Sequence, residues 1–210
     1  MSLIEFILLA VSMLFVIIDP LALVPVFLAM TPNDTPAQRI RTARMACMVA
    51  AGILILFSLV GRWIFGFLGI SLPAFQMAGS LVLFLIALDM LRARRPPVHE
   101  TPIGTDDGLA RAEIAIAPLG IPMLAGPGAI STTILLQGKA TGIEQHAALP
   151  LCIVAVCTAS FLILRLSAFG AGWLSPLAMM IGTRLMGLLL TAIAFQFFLN
   201  ALRDLKVIPS

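Results

Sequence analysis

Charge is what this 210-residue chain has least of. Only 11% of its residues are Asp, Glu, Lys or Arg, against 60% hydrophobic, and the mean hydropathy is +1.09. Soluble domains run near about 25% charged and about 45–50% apolar. The shortage argues against a soluble enzyme, a nucleic-acid-binding domain and a disordered chain. Cysteine is also scarce. Cys47, Cys152 and Cys157 sit inside apolar runs with no CxxC spacing, so they read as small buried hydrophobes, not as a zinc site or a disulfide framework. The two histidines, His99 and His146, fall in polar stretches read as loops, without ligand partners, and no metal or cofactor is expected. No nucleotide-binding motif is present, which argues against ATP-driven transport by this chain alone. The N-terminus MSLIEFILLA lacks a basic region, and Glu5 has the wrong sign for one. It reads as the start of a retained helix, not as a cleaved signal peptide.

What is abundant is uninterrupted apolar sequence. A membrane-crossing helix takes about 20 such residues, so six would use roughly 120 and leave roughly 90 for loops and ends. The predicted fold class is therefore all-α: one transmembrane domain over residues 1–210 with six transmembrane helices. The spans fall at 3–30, 45–67, 72–91, 114–137, 147–166 and 177–202. The polar stretch TPNDTPAQRIRTAR separates the first two. The Pro-, Gly- and charge-rich segment 92–113 separates the third from the fourth and reads as a flexible loop. A β-barrel does not fit, because the runs are continuous and not alternating.

The net charge of +3 and pI near 9.1 serve orientation in the bilayer and not nucleic-acid binding. Arg39, Arg41, Arg44, Arg92, Arg94, Arg95, Arg111, Arg165 and Arg184 fall on one side. Arg62, Lys139, Arg203 and Lys206 fall on the side that holds the N-terminus. The richer side is cytoplasmic by the positive-inside rule. Loop 92–113 is then cytoplasmic, and both termini face out of a bacterial plasma membrane, into the periplasm of a Gram-negative host.

The spans divide into halves of three, 1–91 and 114–206. Each half opens with a proline-broken helix, DPLALVPVFL from Asp19 and GPGAISTTIL from Gly126, so that Asp19-Pro20 aligns with Gly126-Pro127 and Ala22 with Ala129. Three spans per half invert the second half relative to the first. The expected architecture is a 3+3 inverted repeat whose first and fourth helices break at mid-membrane, a pattern that points to the binding site of a secondary transporter.

Asp is a favoured N-cap and Pro a favoured first helical residue, so Asp19-Pro20 signals a new helix start inside the span, dividing it into 3–18 and 20–30. Proline also bars Asp19 from ordinary helical geometry. Gly126-Pro127-Gly128 repeats the arrangement. Because the two spans run in opposite directions, both new starts approach each other near the midplane. Helix starts carry free N–H groups and partial positive charge, and two of them facing one cavity make a seat for a carboxylate. Ser131, Thr132 and Thr133, in the first turns after Pro127, add hydroxyls. The candidate substrate-binding set is Asp19, Pro20, Ala22, Gly126, Pro127, Gly128, Ser131, Thr132, Thr133 and Gln76. Asp19 is the one carboxylate deep in the membrane. It is either a structural cap or the site of a coupling proton or a substrate ammonium. Gln76, Gln196 and Asn200 suit hydrogen bonds between helices.

The residues Ile18-Asp19-Pro20-Leu21-Ala22 with Pro25-Val26-Phe27, together with Ala117-Pro118-Leu119-Gly120-Ile121-Pro122 running into Ala125-Gly126-Pro127-Gly128-Ala129-Ile130, resemble the MarC family of six-span membrane proteins over essentially the whole chain. The resemblance implies kinship with the LysE-type amino-acid exporters and a small neutral amino acid as substrate. The chain departs from the family at Ala22, where Gly is common, and at Leu23, where a polar residue is frequent, which makes the first half-helix start tighter and less polar. The expected activity is proton-coupled or uncoupled secondary transport of a small zwitterion, with the substrate and the lipid bilayer as partners and no nucleic acid. The alternatives are a non-transporting scaffold that binds a partner through residues 92–113, or an intramembrane enzyme. The latter lacks a GxSG nucleophile, a membrane histidine and a GxGD motif.

Overall fold

A computed structural model describes residues 1–31, 34–92, 115–170 and 176–206. Every regular element among them is helical. In chain order these are α1 (Leu3–Ile18), α2 (Pro20–Met30), α3 (Pro36–Leu68), α4 (Leu72–Leu91), the π-helical α5 (Ala115–Leu124), α6 (Pro127–Lys139), α7 (Ile143–Gly170) and α8 (Pro176–Asp204). Four helical stretches among the described residues are long and apolar enough to cross a membrane: Leu3–Leu28, Pro36–Leu68, Leu72–Leu91 and Ile143–Phe169. The break in the first span falls where Asp19-Pro20 places it, and the fourth span is divided between Leu124 and Pro127. The loop expected at 92–113 lies outside the described residues beyond Arg92.

The second span corrects the expected boundary. The stretch TPNDTPAQRIRTAR is not all loop, because α3 begins at Pro36. Thr35 caps it, with its hydroxyl accepting from Gln38 N–H while the Gln38 side chain accepts from Thr35 N–H. This reciprocal cap, with Pro at the first position, outweighs the polarity of the turns that follow. At 33 residues α3 is roughly 50 Å long, well beyond an apolar core of about 30 Å. Its charged first turns therefore extend past the apolar stretch. Arg39, on the second turn, is buried. Its Nε and Nη2 donate to the Thr31 carbonyl at 3.0 and 2.7 Å, closing the C-terminal end of α2 with a cation where the helix dipole is negative. His146, expected in a loop, lies in the first turn of α7.

Packing relies on small residues. The buried stripe of α3 reads Ala43, Ala46, Cys47, Ala50, Leu54, Ser58, Gly61, Phe65, at three- and four-residue spacing. Helices in lipid associate through close van der Waals contact, which small side chains permit. This stripe lets α3 pack against α5, α6 and α7. The most extensive pairing is α4 with α8, which includes an edge-on Phe84–Phe195 contact with ring centres 5.4 Å apart. Further contacts join α1 to α7, α2 to α7 and α8, and α4 to α6. Gly79 of α4 lies so close to Pro127 that a Cβ there would overlap the proline ring. At one end of the bundle the Gln145 amide donates to the Met1 carbonyl at 2.9 Å, tying the chain's N-terminus to the start of α7. The outer surface is apolar: Ile4, Val16, Leu21, Trp63, Phe67, Leu151 and Leu166 are all more than half exposed. Water does not tolerate so continuous an apolar surface; acyl chains do.

Candidate functional site

Asp19 organises the first break. Its backbone is left-handed (φ 43°, ψ 66°), a conformation open to Asp more than to most residues with a Cβ. It serves two helices at once. Its N–H donates to the Phe15 carbonyl at 3.0 Å, ending α1, and its Oδ1 accepts from Ala22 N–H at 3.3 Å, starting α2. By helical rise Asp19 sits roughly 24 Å along from the start of α1 and roughly 16 Å from the end of α2. The side chain is exposed and Pro20 behind it is buried.

The second break is built without a side chain. Gly126 caps α6 in extended geometry (φ −73°, ψ 170°) and offers no side-chain cap. Its requirement is space, since a Cβ there would overlap the Pro122 carbonyl. Ala125 N–H donates to the Gly120 carbonyl at 2.9 Å, closing α5 just before the turn. Pro127 has no N–H, and the N–H groups of Gly128 and Ala129 have no partner within their own helix. The two breaks are thus unequal: α2 begins under a carboxylate, α6 begins bare.

Both starts line one cavity of about 60 Å³. Asp19 and Ala22 come from the first, Gly126, Gly128 and Ala129 from the second. The rest of the described wall is apolar, including Leu83, Ile193 and Phe197, and among the described residues Asp19 is its one titratable side chain. A second cavity of about 280 Å³ adjoins it, lined by Gln76, Thr132, Asn200, Arg203 and Asp204. Gln76 Oε1 is buried there without a hydrogen-bond partner.

The remaining candidates divide. Pro20 and Pro127 set the helix starts but line neither cavity. Thr133 is fully buried, and its hydroxyl donates to the Ala129 carbonyl at 2.7 Å, so it is engaged with its own helix. Ser131 is buried, off both cavities, with an unpartnered Oγ. The helical turn accounts for this: Thr132 lies one turn after Gly128 and shares its face, whereas Ser131 and Thr133 point about 100° to either side of Thr132. Gln196 and Asn200 bond each other along α8 at 2.9 Å, not across helices as expected. Sequence reasoning missed Phe197, Arg203 and Asp204. Phe197 carries no signal in an apolar run. The last two stand at the end of a span, where charge reads as topology.

A helical bundle with an apolar exterior, two interrupted helices and a cavity between the interruptions is an integral membrane protein of the multi-span type. A family model described as "MarC family integral membrane protein" matches residues 4–206. The chain belongs to the MarC family. It is 36% identical to the UPF0056 membrane protein MJ1677 of Methanocaldococcus jannaschii, over 95% of this chain and 97% of that one. It is 36% identical to the UPF0056 membrane protein YvbG of Bacillus subtilis, over 86% of each. To the UPF0056 membrane protein YhcE of Escherichia coli it is 28% identical, over 91% of this chain and 89% of that one. No solved structure matches.

Proposed function

We propose that this chain is a secondary transporter of small neutral amino acids or similar zwitterions. The observation that carries the reading is a cavity lined by both half-helix starts, one bare and one bearing a carboxylate. A zwitterion matches that asymmetry. Its carboxylate takes the unpartnered N–H groups and positive end of α6, and its ammonium takes Asp19. The same carboxylate is the site for a coupling proton when the seat is empty. Pockets for drug-sized ligands run to about 300–1,000 Å³, so a cavity of about 60 Å³ suits only a very small solute in this conformation. A hydrolytic reading of the aspartyl kind needs two facing carboxylates, and among the described residues Asp19 is the one carboxylate in this lining.

We read the architecture as six spans in a 3+3 inverted repeat. The packing supports this. Exchanging the halves turns the contact of α3 with α5 into that of α7 with α1, α3 with α6 into α7 with α2, and α4 with α6 into α8 with α2. The pairs α3–α7 and α4–α8 map onto themselves. Both termini then lie on the periplasmic side of the inner membrane and 92–113 in the cytoplasm. Purified protein in proteoliposomes should take up labelled glycine, alanine or serine, faster with a proton gradient, and should not take up an amine that lacks the carboxylate. Correctly inserted protein that moves none of these refutes the reading.

A further inference from the structure

We infer that Phe197 divides one solute route into an outer and an inner chamber and limits the size of what passes between them. Its role in size selection rests on the transport reading above; its role as a partition does not. Phe197, Gly128 and Ile17 line both cavities. Of these, Phe197 carries the large flat side chain, and its ring lies directly on the start of α6. A Cβ built on Gly128 would fall 2.5, 3.0 and 3.1 Å from Cζ, Cε2 and Cε1 of that ring. The absence of a side chain at Gly128 is what lets the ring seat there.

The two chambers differ in the way an approach and a seat would. The outer one, about 280 Å³, is walled by amide, hydroxyl and charged groups: Gln76, Thr132, Asn200, Arg203 and Asp204. At roughly 30 Å³ per water it has room for about nine waters, where the inner chamber has room for about two. Arg203 and Asp204 close α8, and Gln76 stands near the start of α4, so the outer chamber lies toward the end of the bundle where α8 finishes. A polar solute entering there meets the Phe197 ring before it reaches Asp19. Rotation of that one side chain about its Cα–Cβ bond would open the way without moving a helix.

The test uses the full-length protein in membranes. Ala22→Cys places a thiol on the inner chamber only, and Asn200→Cys places one on the outer only. Cys47, Cys152 and Cys157 are buried and line neither, and the parent protein serves as background. A charged, membrane-impermeant thiosulfonate is added from the side of the C-terminus. We expect Ala22→Cys to react roughly tenfold faster with Phe197→Ala than with Phe197 intact, and Asn200→Cys to react at the same rate in both. Phe197→Leu, which keeps apolar volume, gives an intermediate rate and serves if the alanine variant fails to insert. Equal Ala22→Cys rates across the Phe197 variants overturn the partition. In proteoliposomes the ratio of alanine to leucine uptake falls roughly tenfold with Phe197→Ala; an unchanged ratio beside normal alanine uptake overturns the size-limiting role. A labelling contrast in a protein that moves no amino acid refutes the transport reading and sustains the partition.

Discussion

Asp19 does three separable things, and three substitutions at that one position separate them. It holds a left-handed backbone, its Oδ1 caps Ala22 N–H, and its carboxylate charge faces the inner cavity. Asn keeps the first two and loses the charge. Gly keeps the backbone and loses cap and charge. Ala loses all three. Replacing an Asp cap by Ala costs about 1 kcal/mol, and by Gly only a few tenths. Forcing an ordinary side chain into left-handed geometry adds roughly 1–2 kcal/mol. Ala should therefore cost about 2–3 kcal/mol, Gly under about 1, and Asn close to nothing. The assay is thermal unfolding of detergent-purified protein at one fixed scan rate, because the midpoint of an irreversible transition depends on that rate. The expected order of stability is wild type and Asn, then Gly, then Ala. In proteoliposomes, Asn should be well folded yet lose the proton-gradient dependence of uptake. An Ala variant as stable as Gly refutes the conformational argument. An Asn variant with unchanged gradient dependence returns Asp19 to the role of a structural cap.

Thr132→Val and Thr133→Val should both leave alanine binding unchanged, because Thr132 lines the outer cavity and not the seat and the Thr133 hydroxyl is held by the Ala129 carbonyl; ligand-induced thermal shifts measure both, and a shift lost in either variant would move the seat toward that hydroxyl. Arg39→Met should cost about 1.5–3 kcal/mol, because it strips a charged donor pair from the buried Thr31 carbonyl, and Arg39→Lys should recover part of it; unfolding of purified protein checks the pair. A C-terminal alkaline phosphatase fusion should be active in a bacterial host; activity of a cytoplasmic reporter at Ser210 instead would reverse the orientation.

The amino-acid sequence by itself determines much of this molecule. The scarcity of charge and the length of the apolar runs make the chain helical and membrane-embedded, because a backbone in lipid must satisfy its own hydrogen bonds. Asp19-Pro20 and Gly126-Pro127 determine where two spans break, because capping and proline chemistry are local and act through a few neighbouring residues. The start of α3 is also local, in Thr35 and Gln38, but the polarity of that stretch obscures it. The tertiary structure alone decides the rest. Which residues share a cavity depends on the angular position of each side chain and on what a neighbouring helix presents, so Thr132 reaches a cavity and Thr133 does not. That α2 begins under its own carboxylate while α6 begins bare needs the backbone of Asp19 and Gly126. Phe197 acquires meaning only because α8 carries it from the far end of the chain onto a glycine sixty-nine positions earlier, a proximity that no local pattern encodes.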